Sequence, residues 1–337
     1  MQRVLARVLV LGVASLLGVV LAEIVVRVAA PQVTMWPRYV TSSEYPIEMA
    51  TDATIRHRRG GHWEFVYTTN AIGRRGPLHD PSEIQGDAVV LLGDSFTFGV
   101  GVQDDEVYAA RLQEACGVGW TVINGGMSGW GIDSQIKWFY AVGAEYDPAA
   151  VVLQFTANDP WDSGTGVTTV EDSGFAFHSY SVDKPAWQEW LSGSGVLQSS
   201  HLFSLLRALE AARGGRGGTV ADPETARAAA TVLQDVQDRY VRYLDAFAAE
   251  LASQGTRLLF VSVTHPTRDG YVYDLGNYPL IEDAVRRLQA EELLEWVALP
   301  MQRMEAAQIS DEGHQWGADH HAYVGEALAG VLLGAGE

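Results

Sequence analysis

AVVLLGDSFTFGVG, residues 88–101, decides how this chain is read. Its first five residues, Ala88 to Leu92, are an apolar run with the length and β-branched content of a buried strand. The run stops at Gly93-Asp94-Ser95, and glycines at 99 and 101 keep the following loop open. A small hydroxyl residue at the carboxyl end of a buried strand lies where an open α/β sheet places its chemistry. Serine alone is a weak nucleophile. It needs a base, a group that orients the base, and donors for an oxyanion. Gly, Asp and Ser are also ordinary turn residues, so the rest of the chain has to supply those partners.

Downstream, strand and helix signals alternate. Strands are expected at Ala88–Leu92, Thr121–Asn124, Ala150–Phe155, Arg257–Val263 and Trp296–Leu299. Helices are expected at Asp105–Cys116, from about Ser134 to Val142, at Pro223–Ser253, near Ile281–Glu292, and from about His321 to Leu333. Strands alternating with helices of this length imply a parallel sheet with right-handed crossovers. Pro160 to Ala221 has no clean period and is too long for a loop in a compact domain, so it reads as an insertion or lid with a short helix at Ser199–Leu209. It is rich in aromatics, including Trp161, Phe175, Phe177, Tyr180, Trp187 and Trp190.

Three further blocks follow the first in order. VINGGMSGWG, residues 122–131, leaves the second strand; a glycine there lets a backbone N–H approach a developing oxyanion with no Cβ in the way. TAND, residues 156–159, leaves the third strand and offers Asn158, whose side-chain amide donates without carrying charge. DEGH, residues 311–314, precedes the last helix and offers a histidine that moves protons near neutral pH beside a carboxylate that orients it. Each block alone reads as turn or surface chemistry; the order at successive strand ends is what carries weight.

Together with GDSFTFGVGV these blocks resemble the SGNH/GDSL hydrolase family. The resemblance covers residues 86–155 and 305–333 well. It implies a flavodoxin-like three-layer α/β/α fold with a parallel sheet. It also implies a serine esterase: Ser95 as nucleophile, His314 as base and then acid, and Asp311 as its orienter. The oxyanion would be held by the Ser95 and Gly129 N–H groups and the Asn158 side chain, with Gly126 a neighbouring candidate. Thr156 stands where the family has glycine, and Asp159 reads as fixing its loop. Trp130 and Trp161 read as substrate contacts. No cofactor is required, and no metal is expected: adjacent His320 and His321 diverge on a helix, and capping is their expected role. The substrates implied are O-acylated, above all O-acetylated, carbohydrates or small acyl esters. Two other readings are an extracytoplasmic O-acyltransferase, against which no Asp-x-His stands between residues 28 and 94, and a non-catalytic envelope binding protein.

The N-terminus carries the apolar excess. Val8 to Val26 holds one charge, Glu23, and is flanked by Arg3, Arg7 and Arg27. As a helix it spans roughly 28 Å, near the thickness of a bilayer core. It reads as an uncleaved anchor with the bulk of the chain outside the cytoplasmic membrane, a cleaved signal peptide being the alternative, with secretion as its consequence. The expected division is an anchor or signal segment at 1–27, an arm at 28–85 and a hydrolase domain at 86–337. The arm includes TTNAIGRRGP, residues 68–77, which resembles the lead-in segment of membrane-anchored GDSL-type proteins. The chain has a net charge of −19, and residues 1–27 hold three arginines and one glutamate, which leaves −21 for the remainder. So acidic a body repels nucleic acid and anionic lipid surfaces, so the expected partners are an ester substrate and, through the N-terminal helix, a membrane. One cysteine, Cys116, excludes an intrachain disulfide.

Overall fold

The computed structural model describes residues 2–37, 39–40, 42, 44–84, 86–163, 167–170, 176–179, 197, 199–214, 223–266, 272–273, 275–300 and 316–334. The chain forms two compact units. The smaller comprises residues 1–38, 55–65 and 184–221, and the larger 39–54, 66–183 and 222–337.

The larger unit is built on five parallel strands: β1 Asp87–Leu92, β2 Trp120–Asn124, β3 Ala150–Phe155, β4 Arg257–Pro266 and β5 Glu295–Pro300. Their order in the sheet is β2-β1-β3-β4-β5. The short strand Val272–Tyr273 adds antiparallel to the end of β4. Every residue of β3 is buried, as are the last five of β1, which is why both read as unbroken apolar runs and not as alternating ones.

Five helices cover the two faces: α1 Tyr108–Cys116, α2 Ile132–Ala141, α3 Pro223–Gln254, α4 Pro279–Ala290 and α5 Ala318–Leu332. On one face α1 and α5 pack together over the sheet, where Leu112, Val324 and Leu328 meet Val89, Leu91, Val152 and Val261. Gly325 makes that crossing close: a Cβ there would lie 2.7 Å from the Arg111 Cβ and 3.0 Å from the Leu112 nitrogen. On the other face α3 lies between α2 and α4. Phe247 of α3 meets Phe139 of α2 edge-on at 5.3 Å, and Tyr240 meets Phe155 of β3 at 5.7 Å. Helices on both faces of a sheet in this order make the flavodoxin-like three-layer architecture that the sequence implies. The strand bounds agree with the sequence reading within three residues. The first helix is shorter than expected: it starts at Tyr108, because Gln103–Glu106 is spent on a turn in which the Glu106 carboxylate accepts the Gln103 N–H at 2.7 Å.

The smaller unit contains one long helix, Gln2–Ala29, with no buried residue and a mean hydropathy of 2.6 over its most apolar stretch. By length and composition it can cross a membrane. Val33–Trp36 pairs antiparallel with Arg56–Arg59, and a further helix spans His201–Gly214. Most of the expected insertion, including Phe175, Tyr180, Trp187 and Trp190, lies outside the described residues.

Candidate active site

In this strand order the connections from β1 and β3 leave in opposite directions, and the crevice between their carboxyl ends is where open α/β sheets take ligands. Gly93-Asp94 leaves β1 at that point, and the next four residues, Ser95–Phe98, form one helical turn. Gly93 is obligatory: a Cβ there would lie 2.0 Å from the Thr97 Oγ1. Asp94 caps the turn, its Oδ1 accepting the Phe96 N–H at 3.0 Å. Gly99 ends it with φ of +85°. Ser95, 8% exposed, is thereby raised at the strand end, and its hydroxyl donates to the Asp94 Oδ2 at 3.4 Å.

Asn158 meets this turn from β3. Its Nδ2 donates to the Asp94 Oδ2 at 3.0 Å and to the Asp162 Oδ2 at 2.7 Å, so both amide hydrogens are engaged by carboxylates. Asp159 turns inward, where its Oδ2 accepts the Thr156 N–H at 2.8 Å and its Oδ1 the Gln135 amide at 3.4 Å. Burial pushes the Asp159 carboxyl well above the usual carboxylate range, and the nearby Asp94 charge adds to the rise. Burial also raises Asp94, against the stabilising bonds from Phe96, Asn158 and Thr156. Asp159 therefore fixes its loop, as its position in the sequence implies.

The loop after β2 is pinned beside the same turn, with the Gly125 N–H on the Leu91 carbonyl at 2.8 Å and the Met127 N–H on the Gly93 carbonyl at 3.1 Å. Gly126 packs directly on the Ser95–Phe98 turn, where a Cβ would lie 2.5 Å from the Phe98 nitrogen. Its N–H is held by the Asn124 side chain at 2.9 Å, so Gly126 is not a free oxyanion donor. Gly129 has φ of +71°, a conformation that favours glycine, and faces Ile47. Trp130 departs from its sequence reading as a substrate contact. It is fully buried, stacked on Tyr45 at 4.5 Å with the Arg74 guanidinium 4.5 Å from its ring, and its Nε1 donates to the Ile47 carbonyl at 2.8 Å. With its ring so covered, Trp130 anchors this loop. Trp161, in contrast, is 44% exposed just beyond Asn158, and its Nε1 donates to the Tyr278 hydroxyl at 3.1 Å. The Tyr278 hydroxyl in turn donates to the Ala157 carbonyl, so the Trp161 side chain is tied to the Asn158 loop.

Asp311 and His314 lie outside the described residues. Trp316, two residues after His314 in the sequence, packs its ring 4.9 Å from that of Phe96, the neighbour of Ser95. Phe96 and Trp316 also line a narrow crevice with Phe155, Thr156, Ala157 and Leu275. His320 Nδ1 accepts the Gly317 N–H at 3.1 Å at the start of α5, and His321 Nδ1 accepts the Tyr108 N–H at 3.1 Å, tying α5 to α1. Among the described residues no group of three His, Cys, Asp or Glu side chains is arranged to hold a metal ion.

One residue near the site escapes a reading by motif. Arg75, buried to 2% exposure, reaches under the loop that follows the Ser95 turn. Its Nη1 donates to the Phe98 and Gly99 carbonyls, its Nη2 to the Val102 carbonyl at 3.1 Å, and its Nη2 and Nε to the Asp104 Oδ1 at 2.8 and 3.0 Å. Its guanidinium lies 4.7 Å from the ring of Tyr67, whose hydroxyl accepts the Gly101 N–H at 2.9 Å. The available signal was a pair of arginines in a turn with no acidic residue within four positions.

The family model described as GDSL-like Lipase/Acylhydrolase matches residues 91–273, more than half of the chain. No curated protein matches it. Among solved structures, a GDSL-like lipase from Bacteroides thetaiotaomicron is 11% identical, with a TM-score of 0.40 over 74% of this chain and 89% of that one. A carbohydrate acetylesterase from Sinorhizobium meliloti is 11% identical, with a TM-score of 0.39 over 74% and 99%. A carbohydrate esterase family 2 enzyme with a carbohydrate binding domain, from Corynascus thermopiles (Myceliophthora fergusii), is 15% identical, with a TM-score of 0.38 over 83% and 75%.

Proposed function

Because the chain belongs to the GDSL-like lipase/acylhydrolase family, and is by that membership a serine ester hydrolase, we propose that Ser95 is the nucleophile of an esterase acting on O-acyl, above all O-acetyl, esters of carbohydrates or on small acyl esters. The observation that carries this reading is the bond from the Asn158 amide to the Asp94 carboxylate at 3.0 Å, which joins the serine turn to the asparagine loop across 64 positions of sequence. It sets an uncharged donor beside the serine at the switch point of the sheet.

In the proposed cycle the Ser95 Oγ attacks the ester carbonyl carbon as His314, oriented by Asp311, takes its proton. The oxyanion is received by the Ser95 and Gly129 N–H groups and by one Asn158 N–H, which turns from Asp162 to the developing charge. Collapse breaks the acyl–oxygen bond, and the alcohol leaves with the proton from His314. Water, deprotonated by the same histidine, then cleaves the acyl-enzyme and restores Ser95. The packing of Trp316 on Phe96 supports the histidine's part, since it brings the segment just after His314 to the serine turn. Trp161 fits the rim of the substrate cleft. The N-terminal helix is proposed as an uncleaved anchor that leaves the hydrolase outside the cytoplasmic membrane.

The test is a fluorophosphonate probe and ester kinetics on folded protein. Ser95→Ala should abolish labelling, and Ser95→Ala and His314→Ala should each lower kcat by several orders of magnitude, the double variant losing far less than the product of the two. Near-wild-type hydrolysis by folded Ser95→Ala refutes the assignment. For the anchor, the intact chain should stay in the membrane fraction after carbonate extraction.

A further inference from the structure

The two units differ sharply in charge. The smaller holds eleven of the chain's 23 Lys and Arg but four of its 42 Asp and Glu, a net of +7. The larger carries the other twelve cations against 38 acids, a net of −26. Residues 1–27 contribute +2, so the smaller unit keeps +5 beyond the apolar span.

Within that unit the charge in the apolar helix has a structural use. The Glu23 carboxylate accepts the Ser200 hydroxyl at 2.7 Å and the His201 and Leu202 N–H groups at 3.0 and 2.8 Å, and pairs with Arg27 at 3.0 Å. These N–H groups are first-turn donors of the 201–214 helix, which a carboxylate satisfies while complementing the helix dipole. The Gln32 N–H adds a bond to the His201 Nδ1 at 2.8 Å. The 201–214 helix therefore starts at the end of the apolar helix that leads into the folded chain.

Among the described side chains of that helix, the exposed ones are apolar. Leu202, Leu205, Leu206 and Leu209 recur at the spacing of one helix face. Leu206 is 56% and Leu209 47% exposed. Arg207, Glu210 and Arg213 belong to the same helix, a net of +1. A leucine face on a short helix, fastened to the end of a bilayer-length span in a net-positive unit, has the composition of a helix that lies in a membrane interface.

We propose that the 201–214 helix lies on an anionic lipid surface, with Leu206 and Leu209 in the acyl boundary and the basic unit held at the headgroups. This rests on the anchor reading given above. The test uses the full chain in bilayers of phosphatidylcholine with or without phosphatidylglycerol, carrying a spin label at Leu206→Cys or Leu209→Cys. Val118→Cys, at a residue 99% exposed in the larger unit, is the aqueous control, and the one native thiol, Cys116, is buried. Collisions with oxygen should exceed those with a nickel chelate several-fold at 206 and 209, and the ratio should invert at 118. Immersion should deepen with phosphatidylglycerol and weaken in high salt. Labels at 206 and 209 as water-accessible as the one at 118 in both bilayers overturn the proposal, and immersion indifferent to lipid charge overturns its electrostatic half. Release of the chain by carbonate would instead refute the anchor.

Discussion

Replacing Arg75 by methionine tests whether the loop beneath the serine turn is held from below. Methionine fills much of the volume but removes every donor. The Gly99 and Val102 carbonyls then lose their partner in a buried place, at roughly 1–3 kcal/mol each. The Phe98 carbonyl, already at 3.4 Å, loses little, and Asp104, 39% exposed, rehydrates. The sum is about 2–6 kcal/mol, less than the middle of the roughly 5–15 kcal/mol that ordinarily holds a domain, so a variant of ordinary stability should fold. For a domain of this size each kcal/mol moves Tm by roughly 2–4 °C, so a fall of about 4–24 °C is expected in a thermal melt. Since the released loop begins where the Ser95 turn ends, kcat on a chromogenic acetyl ester should drop by about 10–100-fold with KM little changed, as expected of a displacement near 1 Å. Arg75→Lys keeps the charge but not the planar fork and should fall between the two. A methionine variant with wild-type Tm and kcat would show that the clamp carries no weight.

Other variants probe neighbouring contacts. Asp162→Ala frees one Asn158 hydrogen and should raise kcat by about 2–12-fold, the worth of one net hydrogen bond, and a fall in kcat would mean that Asp162 positions the amide instead of competing for it. Trp130→Ala should cost about 3–5 kcal/mol in denaturant unfolding, while Trp161→Ala should alter KM across a series of esters with little loss of stability; the reverse pattern would exchange their roles. Asp159 is raised in the folded chain, so it binds its proton more tightly folded than unfolded. Its contribution is full in acid and is lost as pH climbs from about 4 through the raised value. Asp159→Asn should therefore flatten the decline of stability with rising pH, measured by unfolding at several pH values, though not abolish it, because Asp94 is raised too.

The sheet was legible because burial on both faces writes itself as unbroken apolar runs, as in Ala150–Phe155. Ser95 and Asn158 were legible because each stands three residues past the end of such a run, and the structure joins them through Asp94. The arginines were not. Arg74 and Arg75 look like surface charge, and burying a guanidinium is credible only once acceptors have been gathered around it. For Arg75 those acceptors lie 23 to 29 positions downstream. Arg74 lies between Trp130 and Trp138, and among the described residues its Nε and Nη2 find no hydrogen-bond partner. Trp130 misleads for the same reason: the Tyr45 that covers it stands 85 positions upstream, beyond any local pattern.

Thr156 shows how a departure from a family pattern is absorbed. The pattern has glycine at this position, and a threonine there raises the question of whether the asparagine loop keeps its path. Thr156 is buried, and its N–H donates to the Asp159 carboxylate at 2.8 Å, a bond that any residue but proline could make. The addition is the side chain. Its hydroxyl accepts the Gln154 amide at 3.2 Å, while the Gln154 Oε1 accepts the Thr97 hydroxyl at 3.1 Å, so the β3 end is linked to the serine turn through side chains. The same hydroxyl is among the groups that stabilise the charge on Asp94 against burial. Glycine supplies none of this. A buried polar network specifies one geometry only when its members are satisfied. Here the threonine occupies space that the pattern leaves empty and returns a hydrogen-bonding group to the Asp94 carboxylate, which touches both Ser95 and Asn158.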